Sequence, residues 1–226
     1  MKLLAIETAT DACSVALYQD GEVLEDFRLA PRAHTQLILP MAEGLLQQAG
    51  LRPGDLDGLA FGRGPGAFTG VRIATAVIQG LAYALDRPVV AVSTLAALAQ
   101  GIYREHGKRH LACAMDARMA EVYWGCYRLG EDGLMGLLGE ERVCPPDGTP
   151  VLSEEDWEGC GSGWSVYADA LAARHGPISI VADEHWPHAQ DVAALAAPVL
   201  LSGAGVSAAE ALPVYLRDQV AHKKAG

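Results

Sequence analysis

Two stretches of this 226-residue chain repeat one pattern. Leu4-Ala5-Ile6-Glu7 and Cys113-Ala114-Met115-Asp116 each run an apolar strand into a carboxylate at a turn. Each is followed by a second strand, Ala12–Gln19 in the first half and Val122–Arg128 in the second. Such a repeat predicts an internal duplication, with one lobe over residues 1–106 and a diverged copy over residues 107–226. The polar stretch Glu105–Arg109 is the boundary between them.

The first half supplies the fuller pattern. Lys2–Thr8, Ala12–Gln19 and Glu22–Leu29 read as an antiparallel meander, with Asp20-Gly21 as a hairpin turn. Thr35–Ala49 reads as a helix that contains Pro40 and stops at Gly50. A strand Leu59–Gly62, a helix Thr69–Leu85, a strand Pro88–Val92 and a helix Thr94–Arg104 follow. The order β-β-β-α-β-α-β-α is that of a ribonuclease-H-like lobe, a mixed sheet with flanking helices. The second half gives a Pro-rich loop at Val143–Pro150, a glycine-rich turn at Gly159–Gly163, a strand Ile178–Ala182 and a helix Gln190–Leu200. Half of the residues are hydrophobic but only 6% are aromatic, so the core must be packed closely from small side chains.

Charge limits the partners. The formal net charge is −11, with 17 Lys and Arg against 28 Asp and Glu. An acidic surface repels phosphate backbones, so tight RNA binding by this chain alone is not expected. The five cysteines are scattered without C-x-x-C spacing, which fits a reducing cytoplasm. The N-terminal apolar run is too short for a signal peptide, and no membrane span is expected.

The most distinctive segment is Gly62-Arg63-Gly64-Pro65-Gly66-Ala67-Phe68-Thr69-Gly70-Val71-Arg72, joining a strand to a helix. It has neither the Lys-Ser/Thr of a phosphate-binding loop nor the dinucleotide glycine register. Its residues alone favour a tight-turn role over anion binding. Gly64–Ile73, preceded by Leu4-Ala5-Ile6-Glu7-Thr8, resembles the TsaB (YeaZ) family of bacterial tRNA threonylcarbamoyladenosine biosynthesis proteins. His34-Thr35 with Leu37 and Pro40, Val92-Ser93-Thr94-Leu95, and Pro213-Val214-Tyr215-Leu216-Arg217 extend the resemblance.

That resemblance implies the actin/Hsp70/sugar-kinase (ASKHA) fold of two ribonuclease-H-like lobes. It implies a cytoplasmic, non-catalytic subunit that binds and supports a TsaD-type transferase. An ATPase subunit, TsaE, completes the larger complex, and tRNA is met only through that complex. The product is threonylcarbamoyladenosine beside the anticodon. The alternative is a free-standing ATP-dependent phospho- or carbamoyltransferase of the same fold.

Chemistry weighs against the alternative. Phosphate hairpins of such folds use glycines so that backbone amides approach closely. Here the turns are Glu7-Thr8-Ala9-Thr10-Asp11 and Asp116-Ala117-Arg118-Met119, without glycine. Glu7, Thr8, Thr10 and Asp116 are candidate nucleotide contacts, but capping of turns is the favoured reading. The paralogous transferase carries two metal-binding histidines where this chain has Thr94 and Leu98, so that metal site is lost. His106 and His110 share the spacing but sit among Gly107, Lys108 and Arg109 and read as a surface loop. Gly161-Ser162-Gly163 reads as a plain turn, and no nucleophile–base pair supports a peptidase. No cofactor is expected, apart from adenine nucleotide near a heterodimer interface.

Two helices carry surplus apolar surface. On the first, Leu37, Ile38, Leu39, Met41, Ala42, Leu45, Leu46 and Ala49 fall in an arc of roughly 200°, wider than one sheet contact needs, and Leu37, Ile38, Met41 and Leu45 are its interface candidates. On the second helix, Arg72, Thr75, Ala76, Gln79 and Tyr83 form a stripe opposite the apolar one. These nine residues are the expected partner interface, shared between a heterodimer with the transferase and a homodimer of the chain alone.

Overall fold

The computed structural model describes residues 1–153, 156–182 and 185–217. Asp218 of the tail and His222 lie outside the described residues. The first sheet is built from β1 (Lys2–Glu7), β2 (Ala12–Gln19), β3 (Glu22–Leu29), β4 (Gly58–Gly62) and β5 (Val89–Val92), in the order β3-β2-β1-β4-β5. The meander is antiparallel, and β4 and β5 join β1 in parallel. The second sheet contains β6 (His110–Asp116), β7 (Val122–Leu129), β8 (Met135–Cys144), β9 (Glu158–Cys160) and β10 (Ser179–Ala182), in the order β10-β9-β6-β7-β8. Read from its meander edge this is the same order with the same strand senses. The duplication expected from two short strand–carboxylate matches is thus a duplication of whole sheets.

Among the described residues six helices cover these sheets: α1 (His34–Gln48), α2 (Phe68–Leu85), α3 (Thr94–His106), α4 (Ser162–Val166), α5 (Ala168–His175) and α6 (Ala189–Leu201). Alternation along β1 decides which side each helix takes. Leu4 and Ile6 point into a cluster with Ile38, Met41 and Leu45 of α1 and Ala74, Ile78 and Ala82 of α2. Leu3 and Ala5 point the other way, onto Ala189, Val192, Ala193 and Ala196 of α6. In the second sheet Leu111, Cys113 and Met115 meet Leu95, Leu98 and Ile102 of α3, while Ala112 and Ala114 meet Trp164 and Leu171 of α4 and α5. The layers therefore run α1/α2, first sheet, α6/α3, second sheet, α4/α5.

The middle layer exchanges helices between the halves. α3 belongs to the first half of the chain but packs on the second sheet, and α6 does the reverse. The α6 contact is the expected small-residue packing. Ala5, Ala16, Ala60, Ala97, Ala189, Ala193 and Ala196 bring the helix so near that a Cβ on Gly58 would overlap Leu200. After α6 the chain stays on the first lobe, where Val206 bridges Val89 and Ala211 joins the outer core.

Several elements escape sequence reading. β8 and β9, α4 and α5 lie where the sequence shows a loop or a glycine turn. β8 has its exposed residues mixed with half-buried ones, so no clean alternation marks it.

The layering has a direct consequence for the boundary at residue 106. A fragment of residues 1–106 would leave Leu3, Val90 and Val92 without α6, and each such side chain contributes about 1.5–3 kcal/mol when buried. Expressed alone, that fragment is expected to show no cooperative thermal transition. A sharp transition by circular dichroism would mean that the first sheet closes without α6.

Candidate functional site

The two hairpin turns, Glu7–Ala12 and Asp116–Val122, are where a fold of this class would hold phosphate. Both are closed by the segment that follows the neighbouring parallel strand. In the first lobe that segment is the glycine-rich loop after β4. A Cβ on Gly62 would overlap the Glu7 carboxylate, one on Gly66 would overlap the Ala9 carbonyl, and one on Gly70 would overlap the Thr8 carbonyl. These glycines let the loop backbone lie directly on the turn. In the second lobe Gly161 and Gly163, after β9, sit against the backbone of Ala114 in the same way.

Hydrogen bonds lock both contacts. Thr8 Oγ1 donates to the Gly70 carbonyl at 2.8 Å, and the Ala67 amide donates to the Ala9 carbonyl at 2.7 Å. In the second lobe the Asp116 amide donates to Ser162 Oγ at 3.1 Å. Four of the turn amides are themselves occupied. Ala9 N–H donates to Glu7 Oε1 (2.6 Å), Ala12 N–H to Thr10 Oγ1 (3.2 Å), Arg118 N–H to Asp116 Oδ1 (2.8 Å) and Ala117 N–H to the Glu121 carbonyl (2.9 Å). These amides are unavailable to a phosphate without breaking the turns.

The candidate nucleotide contacts are thereby reassigned. Glu7 and Thr8 are fully buried and face protein rather than a ligand. Thr10 caps its own turn. Asp116 accepts from the Tyr167 hydroxyl at 3.0 Å and pairs with Arg118 at 3.0 Å. Glu7 also accepts from Thr94 Oγ1 at 3.1 Å, so one of the two positions that matched metal-binding histidines serves this carboxylate. Leu98, the other, is buried in the second-lobe core. His106 ends α3 and lies edge-on to His185, whereas His110 packs beside Trp157, so the His106/His110 pairing does not form.

The interface residues divide between two fates. Ile38, Met41 and Leu45 are 1%, 3% and 5% exposed, and Leu37 packs on the same cluster. Their removal from the partner surface is a correction: the wide arc of α1 is used up by its own sheet together with α2. Only Leu39, part of that arc but not among the nine interface candidates, stands open on that helix's apolar side. On α2, Thr75 is buried and donates to the Val71 carbonyl at 2.9 Å, and Gln79 donates to the Ala211 carbonyl at 3.0 Å. Arg72, Ala76 and Tyr83 remain exposed, Tyr83 at 86%. Phe68 and Gly80 continue the same open row. Starting the helix at Thr69 hid Phe68, whose spacing of four from Arg72 is the signal that would have found it.

A C-terminal strap holds this face. Arg72 stacks its guanidinium 3.2 Å over Phe68 and donates from Nε to the Tyr215 hydroxyl at 2.9 Å. Val214 N–H donates to the Arg63 carbonyl at 2.9 Å, and Arg217 reaches Glu121 on the second-lobe hairpin. The Pro213–Arg217 signature thus runs from α2 across the glycine-rich loop to the opposite lobe. That hairpin is tight, with Arg118, Met119 and Ala120 all at positive φ.

The family model for tRNA N6-adenosine threonylcarbamoyltransferase, TsaD, matches residues 28–225. The Escherichia coli protein named tRNA threonylcarbamoyladenosine biosynthesis protein TsaB is 42% identical over 99% of this chain and 98% of its own length. The protein of that name from Haemophilus influenzae is 37% identical, over 99% of this chain and 97% of its own length. The chain belongs to the TsaB family. The solved structure of YeaZ from Pseudomonas aeruginosa superposes with a TM-score of 0.87 at 51% identity, covering 95% of this chain and 99% of that one. The expected pair of mixed sheets with flanking helices is the architecture found.

Burial gives the closed turn a pH signature. Desolvation pushes the Glu7 carboxyl up from the ordinary 4.5 to about 7, against the hydrogen bonds from Ala9 and Thr94 that favour its charged form. A folded-state value above the unfolded one means that the fold favours the protonated acid. This contribution is complete below pH 4.5 and is lost as pH rises through about 7. The full loss is on the order of 3 kcal/mol. Glu7→Gln is expected to match wild type near pH 5 and to exceed it at pH 8 in urea-unfolding midpoint. Parallel pH profiles for the two proteins would contradict the buried-acid account.

Proposed function

We propose that this chain is the non-catalytic partner subunit of the complex that forms threonylcarbamoyladenosine next to the anticodon of tRNA. It binds and supports a TsaD-type transferase through the open face of α2. Membership of a family whose relatives are named for tRNA threonylcarbamoyladenosine biosynthesis supports the pathway. The observation that carries the partner role is α2 itself, an apolar helix of 18 residues of which only a third is buried.

The open face has the composition of a protein interface. Tyr83 and Phe68 are large exposed anchors, Arg72 is pre-set by its stack on Phe68, and Ala76 and Gly80 leave the centre flat. A flat, small-residue centre suits close approach of another helix. The same face on a second copy would give a homodimer when the partner is absent. A TsaE ATPase subunit joins the larger complex, with adenine nucleotide near the heterodimer interface rather than in the plugged hairpins. The acidic chain leaves tRNA contact to its partners. All five cysteines are unpaired thiols, as suits the cytoplasm.

Ala76→Glu and Tyr83→Ala test this without touching the core. Both variants should keep the wild-type melting temperature and bind a purified TsaD-type transferase at least tenfold more weakly, as truncation of an aromatic anchor commonly does. Threonylcarbamoyladenosine formation in the reconstituted system should fall in step. Undiminished binding by both variants would remove α2 from the interface. Leu45→Glu is unsuitable, because burying a charge there would unfold the chain.

A further inference from the structure

The end of α3 and the loop entering α6 bring together ligating groups that chain order keeps apart. Glu105 closes α3, and His185 and His188 precede α6. One ligand-capable atom from each of these three lies within 4.8 Å of the other two. We propose that Glu105, His185 and His188 form a site for a divalent transition-metal cation of the zinc class, with His106 at its open edge.

The donor set and its spacing fit such an ion. Two imidazoles and one carboxylate are zinc ligands, and bonds of about 2.0–2.1 Å place tetrahedral donors ~3.4 Å apart. His185 Nδ1 and Glu105 Oε2 are already 3.5 Å apart. His106 Nε2 lies 4.0 Å from the same carboxylate oxygen, and its ring is edge-on to His185.

The surroundings orient each ligand. Arg104 takes the other Glu105 oxygen, Oε1, at 3.0 Å and is itself held by Asp191 through both carboxylate oxygens. That leaves Glu105 Oε2 turned to the histidines. His188 Nδ1 donates to Glu25 Oε2 at 2.9 Å, and its ring stacks on Phe27 with centroids 4.2 Å apart. A carboxylate on one ring nitrogen leaves the lone pair on the other, the usual support for a metal-bound histidine. His185 is 8% exposed and seats against Gly101 of α3, where a Cβ would come within 2.8 Å of its Nε2. Among the described residues that nitrogen has no hydrogen-bond partner. A glycine inside a helix is costly, and here it makes room for the imidazole. Around the cluster the carboxylates of Glu25, Glu105 and Asp191 face one guanidinium, Arg104, which leaves negative charge for a dication.

A bound ion would tie α3 to the entry of α6 and so fasten the middle layer. The test uses the untagged full chain after chelator treatment. Zn2+ is expected to bind at one ion per chain by titration calorimetry and to raise the melting temperature, which Mg2+ at the same concentration does not. Co2+ should bind with visible d–d bands of a low-coordinate nitrogen–oxygen site. His185→Ala with His188→Ala should abolish the bands and the thermal shift. Glu25→Gln should weaken Zn2+ about tenfold to a hundredfold. Should the double variant not fold, Glu105→Gln on the exposed helix end is expected to weaken Zn2+ by at least tenfold. No Zn2+-dependent shift in wild type, or binding and bands unchanged in the folded variants, would overturn the site.

Discussion

The contact on which the rest of this structure depends is backbone against backbone: the loop after β4 lying on the β1–β2 turn. Three glycines at 62, 66 and 70 permit it, since side chains there would overlap Glu7, Ala9 and Thr8. The contact buries Glu7, occupies the Ala9 carbonyl and the Thr8 hydroxyl, fixes the start of α2 and supplies the Arg63 carbonyl that receives the C-terminal strap. The second lobe repeats the device with Gly161 and Gly163 against Ala114. Duplication has thus preserved a way of closing the turn as well as a sheet order. Glycine-rich loops in this setting bring to mind phosphate; here the missing Cβ atoms serve protein packing.

The proposed function lies on the surface rather than at the turns. It rests on an apolar helix of which a third is buried, with an open row held in place by Phe68, Arg72 and Tyr215. The strap makes that helix sensitive to the other lobe, because Arg217 at its far end pairs with Glu121 beside the tight 118–120 turn. A partner seated on α2 would therefore meet a surface built from both halves of the chain. That is the physical content of the supporting role proposed above: rigid presentation of a face.

Much of this was legible in the sequence, and the gaps have physical causes. The meander, the parallel strands and four long helices were readable because apolar periodicity and turn residues mark them. The Leu4–Glu7 and Cys113–Asp116 match carried the duplication. β9 was hidden by its length of three residues and by its glycine. α4 and α5 are short, and their periodicity is too brief to stand out. On α1 the wheel counted apolar residues correctly but could not know that α2 shares their cluster, so Ile38, Met41 and Leu45 were given to a partner instead of the core. The exchange of α3 and α6 between lobes was invisible, since both helices carry apolar residues that suit either sheet. Sequence order also hides the grouping of His185 and His188 with Glu25 and Glu105, which are distant along the chain.

The central claim is that α2, not the inter-lobe turns, is where this molecule meets its partner. Amide hydrogen exchange of the chain with and without a TsaD-type transferase reads both places at once. The account predicts new protection along residues 68–84 and over the strap at 211–217, with exchange at 8–12 and 116–121 unchanged. Protection confined to those two turns, with α2 exchanging as in the free chain, would contradict it.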